Sequence, residues 1–165
     1  MRWYWIDRLL EFHSGRYARA VKVVSLVDDH MHDHVPGYPV MPSTLVMEGL
    51  AQTAGMLLCE HAHFAQNVVL AKISRAEFFG EALPGDTLTY TATIISLTDE
   101  GAMVHATSHK GDQLQAEADF MLVYLDHAGP GQRAFDPKAF LEMMRALGGF
   151  EVGRAADGAP LVDPL

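Results

Sequence analysis

The sequence predicts an α+β fold, an antiparallel β-sheet built around one long central helix. Two observations carry this expectation. Residues Thr44 to His61 hold no proline and only two acidic side chains, Glu48 and Glu60. Their Leu, Val, Met and Ala positions cover nearly the whole helical circumference, the pattern of a helix buried all round. Beyond that helix, β-branched runs alternate with Pro-, Gly- and Asp-bearing turns and no second long helix intervenes, which favours strands paired antiparallel with their neighbours.

Composition narrows the function classes. A chain of 165 residues with 49% hydrophobic content is long enough for one core. The formal charge of −9 argues against a partner bound through nucleic-acid phosphates, which needs a broad basic face. The single cysteine, Cys59, excludes an internal disulfide framework and reads as a spectator thiol within the apolar helix. Asp7 and Arg8 interrupt the apolar amino terminus, so no signal-peptide core is present, and no window approaches the roughly 20 apolar residues of a membrane span. The expectation is a soluble cytoplasmic protein without a membrane partner.

In chain order, Trp3 to Phe12 fit either a short helix or a first strand, and His13, Ser14 and Gly15 mark a turn. Residues Arg16 to Val27 are β-branched and partly alternating, which predicts a strand. In DDHMHDH, His30, His32 and His34 would share one face of a strand and could hold a divalent metal. The approaching Pro36 and Gly37 instead favour a loop or one helical turn, where alternate residues diverge, so no metal is expected. Strands are predicted over Val68 to Phe79, Thr87 to Leu97, Ala102 to Lys110 and Leu114 to Leu125. From residue 128 the composition shifts to a linker, a short amphipathic helix from Asp136 or Pro137 to about Leu147, and a loose tail. The division expected is a main domain over 1–127 and this extension over 128–165, with Phe140, Leu141, Met144 and Leu147 as the extension helix's apolar stripe.

The stretch from His34 to Gly55 carries the chemistry. Pro36, Gly37, Pro39 and Pro42 stiffen an irregular segment that can hold a side chain and its neighbouring amides in place. The helix begins at Ser43 or Thr44, either of which can serve as N-cap. Glu48 is an acid on an otherwise apolar helix, costly unless used or paired. On its own face stand Thr44, Ala51, Gln52 and Gly55, small or polar groups that leave room beside the carboxyl, and Gln52 can orient it. Interaction with the helix dipole is the competing explanation of Glu48.

These residues resemble the β-hydroxyacyl-acyl carrier protein dehydratases of the hot-dog fold. The likeness rests on His34, Pro36, Gly37, Pro39, Pro42, the apolar run from Leu45 to Glu48, and Ala51 with Gln52. A second block, Ala71, Ile73, Ala76, Phe78 and the Pro84-Gly85-Asp86 turn, agrees as well. Three positions depart: Asp33 and Val35 flank the histidine where the family has Gly and Phe, and Ser43 stands where it has Gly.

The resemblance implies dehydration of a 3-hydroxyacyl thioester, with His34 as base, Glu48 as acid and Gln52 as its orienter. The amides of Ser43 and Thr44 would stabilise the enolate-like oxygen beside the rigid Gly37 turn. Burial of Glu48 on its apolar helix would keep the acid protonated. Met41, Met47 and Met56 line an acyl tunnel or simply fill the core. No cofactor or metal is implied. The partners implied are an acyl carrier protein or coenzyme A thioester and a second copy of the chain, in a homodimer whose sites each take His34 from one subunit and Glu48 from the other. Assembly beyond the dimer is left open. Because acyl carrier proteins are acidic, a local basic patch from Arg16, Arg19, Lys22, Lys72 and Arg75 would have to offset the like net charge. Two other readings are a hot-dog acyl thioesterase and a non-catalytic acyl-binding subunit.

Overall fold

The structure is a computed structural model that describes residues 4–125 and 137–164. Strands β1 (Arg8–His13), β2 (Tyr17–Val23), β3 (Asn67–Phe78), β4 (Thr87–Thr98), β5 (Gly101–Lys110) and β6 (Gln113–Leu125) form one sheet with β7 (Gly153–Arg154), in the order β3-β6-β5-β4-β2-β1-β7. The helices are α1 (His30–Asp33), α2 (Ser43–His61), α3 (Pro137–Ala146) and α4 (Gly149–Val152). Pairing is antiparallel except for β7, which runs parallel to β1. The predicted long helix and the four later strands fall within a residue or two of their expected bounds.

Period-2 patterning places the sheet on α2. In β2, Ala18, Ala20 and Lys22 are buried while their neighbours face outward, and β4 and β5 alternate likewise. Val46, Leu50 and Leu57 of α2 meet Leu88, Tyr90, Val104 and Phe120 in the core. Each such side chain contributes about 1.5–3 kcal/mol by leaving water. The close approach of helix and sheet depends on Gly49, where a Cβ would collide with the Tyr90 ring.

Several expectations are resolved or corrected. Trp3 to Phe12, left between helix and strand, yields β1, whose Leu9 and Phe12 are buried. The helix N-cap is Pro42, in extended conformation at ψ 133°, so Ser43 and Thr44 are already helical and cap nothing. The helix is not buried all round: Ser43, Thr44 and Glu48 are exposed, and Leu45, Met47 and Ala51 are half-buried. The expected linker over 128–136 lies outside the described residues. The expected loose tail is tied down. Phe12 and His13 pair with Gly153 and Arg154, Leu161 packs on the core, and Arg145 holds Asp163 at 2.6 Å. Apolar contacts and an edge-strand pairing thus order a segment whose composition is that of a loop.

β3 ends the sheet and is bare: from Leu70 to Phe79 every residue is exposed, including Leu70, Ile73, Phe78 and Phe79. A long apolar edge with unpaired backbone groups is a template for another strand. No helix among the described residues is long and apolar enough to cross a membrane.

Candidate active site

The site is built on the turn before α2 and on that helix's outward stripe. Residues His30 to Asp33 form a single helical turn, so the three histidines do not share a strand face. His34 follows it and is exposed. Pro36 and Gly37 then form a tight turn, in which the Tyr38 N–H donates to the Val35 carbonyl at 3.0 Å and Gly37 takes φ +78°. Only glycine adopts that third turn position without strain. Among the described residues no cluster of side chains suited to a metal ion occurs.

His34 and Thr44 face one open cleft of about 600 Å³, shared with Trp5, Lys22, His30 and Leu45. Ser43 and Thr44 are the first helical residues, whose N–H groups have no acceptor within the helix and sit at its positive end. His30, weighed from the sequence as a metal ligand, packs edge-on against Trp5, with ring centroids 5.1 Å apart. Burial lowers its pKa; Asp28 opposes the shift while Lys22 and His34 add to it, which favours the neutral ring. No sequence signal separates His30 from His32; only the fold places one in the cleft and leaves the other exposed.

Glu48 does not line that cleft. Its carboxyl lies on the open stripe of α2 and is held there by its own helix: the Gln52 side-chain amide donates to Glu48 Oε1 at 2.9 Å. The Gln52 carbonyl oxygen in turn accepts the Trp5 backbone N–H at 2.9 Å. The two partners fix which way the amide points, because only its nitrogen can donate to a carboxylate. The expected desolvation of Glu48 by its own helix is therefore absent, since the carboxyl points away from the core.

The other expected residues separate. Met41 and Met56 belong to the core cluster, whereas Met47 is half-buried beside the open stripe. Of the basic candidates, Lys22 is buried against Asp7 at 3.0 Å, Arg19 meets Glu11 at 2.6 Å, and Arg75 is held by Glu77 and Glu117. Arg16 and Lys72 carry no ion pair among the described residues. The local basic patch is thus mostly neutralised. Cys59 is buried and its thiol pushed up to about 12, the state of an inert structural cysteine.

Most of the chain is similar to known proteins. Residues 3–118 match the FabA-like domain family. A 3-hydroxyacyl-[acyl-carrier-protein] dehydratase FabZ of Symbiobacterium thermophilum is 34% identical over 126 residues, covering 76% of this chain and 89% of the relative. One from Streptococcus pyogenes serotype M3 is 38% identical over 112 residues, 67% of this chain and 80% of the relative. Among solved structures, a Streptococcus mutans UA159 protein bound to acetyl CoA superposes with a TM-score of 0.61 at 16% identity, over 76% of this chain and 93% of that one. The fold is the hot-dog fold.

Proposed function

The chain belongs to the FabA-like domain family, and from that premise we propose that it dehydrates a 3-hydroxyacyl thioester to the trans-2-enoyl thioester in fatty-acid or related acyl-chain biosynthesis. The enzyme is a hydro-lyase of the 3-hydroxyacyl-[acyl-carrier-protein] dehydratase type. The observation that carries the reading is the Gln52-oriented Glu48 carboxyl on the open stripe, one helical turn beyond the amides of Ser43 and Thr44.

The reaction needs a base and an acid on the two reacting carbons. The His34 imidazole takes the proton from the carbon next to the thioester carbonyl. The electron pair left behind delocalises onto the carbonyl oxygen, which the amides of Ser43 and Thr44 stabilise at the helix N-terminus. As the double bond forms, the bond to the 3-hydroxyl breaks and Glu48 protonates the departing oxygen, which leaves as water. Gln52 holds the carboxyl at the required angle. Proton exchange with solvent restores a neutral His34 and a protonated Glu48. Gly37 supports the turn that positions His34, and Met47 borders the acyl path.

The site is completed by a second copy of the chain. Glu48 lies outside the cleft that holds His34 and Thr44, and β3 offers a bare apolar edge. Pairing β3 with its equivalent in a homodimer brings each His34 to the partner's half of the site and excludes water from Glu48, the condition under which a carboxylic acid keeps its proton. The carrier is an acyl carrier protein, the substrate named for the relatives; of the five basic candidates, Arg16 and Lys72 are the two left to meet it. The test is incubation with 3-hydroxybutyryl and longer thioesters on acyl carrier protein and on coenzyme A, following the enoyl absorbance. Enoyl product supports the reading, and release of free thiol without it indicates a thioesterase.

A further inference from the structure

The stripe of α2 that carries Thr44, Glu48 and Ala51 continues toward the helix end through Gly55 and Cys59, since positions three, four and seven apart share one face. Its two halves differ. Thr44 and Glu48 are exposed and Ala51 is half-buried, whereas Gly55, Leu58 and Cys59 are buried. Helix α3 packs on α2, and the Phe140 ring lies so close over Gly55 that a Cβ there would meet two of its carbons at 3.2 Å. Phe140 is 7% exposed, and Met143, Met144 and Leu147 beside it in sequence are buried in the same core. The backbone locks this helix down as well: the Leu9 N–H donates to the Leu147 carbonyl at 2.9 Å, and β7 pairs with β1. Helix α3 and strand β7 lie beyond the residues matched to the family.

We infer that Phe140 of α3 is the end wall of the acyl-chain path along α2 and limits the enzyme to short and medium acyl chains. The inference rests on the dehydratase reading given above. Polarity sets the direction of the chain. Toward the helix N-terminus lie Lys22, Asp28, Asp29 and His30, suited to the polar thioester arm. Toward its C-terminus lie Ala51 and Gly55, small and apolar, and then the Phe140 ring. Seven residues separate Glu48 from Gly55, about 10 Å along the helix axis. An extended chain advances about 1.3 Å per bond, judged from three bonds per 3.8 Å in a backbone. After allowing for the thickness of the ring, roughly five carbons fit beyond the reacting one, an acyl chain of about eight carbons.

The test compares kcat/KM for hydration of trans-2-octenoyl and trans-2-dodecenoyl thioesters by the full-length protein and by Phe140→Ala and Phe140→Leu. Each methylene newly taken out of water is worth about fourfold. The expected result is a dodecenoyl-to-octenoyl ratio below about one tenth in the wild type, raised at least tenfold by Phe140→Ala and by an intermediate factor by Phe140→Leu. Circular dichroism melts identify which variants are folded, and Phe140→Leu carries the comparison if Phe140→Ala is not. A wild type that accepts both lengths equally, or a ratio unmoved beyond twofold in the folded variants, overturns the inference. If the wild type hydrates neither thioester, the dehydratase reading fails by itself, and calorimetric binding of octanoyl- and dodecanoyl-CoA to the same proteins then decides the end wall by the same ratio.

Discussion

The two halves of α2 share one helical stripe and differ in what covers it. Over Gly55, Leu58 and Cys59 the chain supplies its own cover, α3, seated on a glycine. Over Thr44, Glu48 and Ala51 it supplies none, although an exposed carboxyl held by a side-chain amide is already in place there. On the homodimer proposed above, a helix that is finished at one end and open at the other, beside a bare strand edge, is half of an interface. The open half carries the reacting groups, while the covered half carries stability and, at Phe140, the wall proposed for the acyl chain, so substitutions at the reacting groups and in the core under that cover should separate cleanly.

The largest effects belong to the open half. His34→Ala and Glu48→Gln should each lower kcat/KM by about a thousandfold, within the range for loss of a general base or acid, while melting temperature and oligomeric state stay at wild-type values. Enoyl absorbance with a 3-hydroxybutyryl thioester reads the first quantity and calorimetry with light scattering the second. The covered half should behave oppositely. Met144 is a fully buried residue of α3 itself, and Met144→Ala should cost about 2–5 kcal/mol in a denaturant titration, through the cavity it leaves.

Gln52 sits between the two behaviours because it bonds both Glu48 and the Trp5 backbone. Gln52→Ala should lower kcat about tenfold with little change in KM, and also cost about 1–3 kcal/mol for the backbone donor left unpaired. A loss confined to stability would show that orienting Glu48 is not its role.

The smallest effect is expected at Asp86, in the turn under the sheet. Its carboxylate accepts from the Leu83 N–H at 2.8 Å and pairs with Lys110 at 2.8 Å. Burial alone would raise its pKa; the Lys110 and Leu83 hydrogen bonds and the Lys110 charge outweigh that and hold it below the usual aspartate value. A depressed folded value means stability that is present above the unfolded pKa, near 3.9, and is lost as pH falls through the folded one. Asp86→Asn should therefore melt a few degrees lower at pH 7, with the gap closing as the pH falls below the usual aspartate value.

Local pattern made most of the fold legible. β4 and β5 alternate in sequence as they do in burial, and α2 is bounded by Pro42 and unbroken to His61. The elements that escaped depend on long-range contacts. β7 is two residues long, too short for any period, and exists only because β1 offers an edge. The amphipathic stripe of α3 was readable, but nothing in it says that Phe140 seats on Gly55. The N-cap was misplaced because Ser43 and Thr44 have the right side chains, while the extended Pro42 already begins the helix.

At the site, the pairing of Gln52 with Glu48 follows from helical spacing and was legible. The exposure of Glu48 was not, because small residues around an acid look alike whether they make room inside a core or at a subunit boundary. His30 was passed over for a related reason: its place beside Trp5 depends on where the amino-terminal segment crosses α2, at Gly49 and Gln52.

The most direct test of the shared site is complementation. Co-expressing His34→Ala with Glu48→Gln gives, by random pairing of two chains, about half heterodimers, each with one intact site if the site draws His34 and Glu48 from different subunits. The account predicts recovery of about a quarter of wild-type activity from two inactive variants. Activity no higher than that of either variant alone, in a preparation shown to contain the heterodimer, would contradict it.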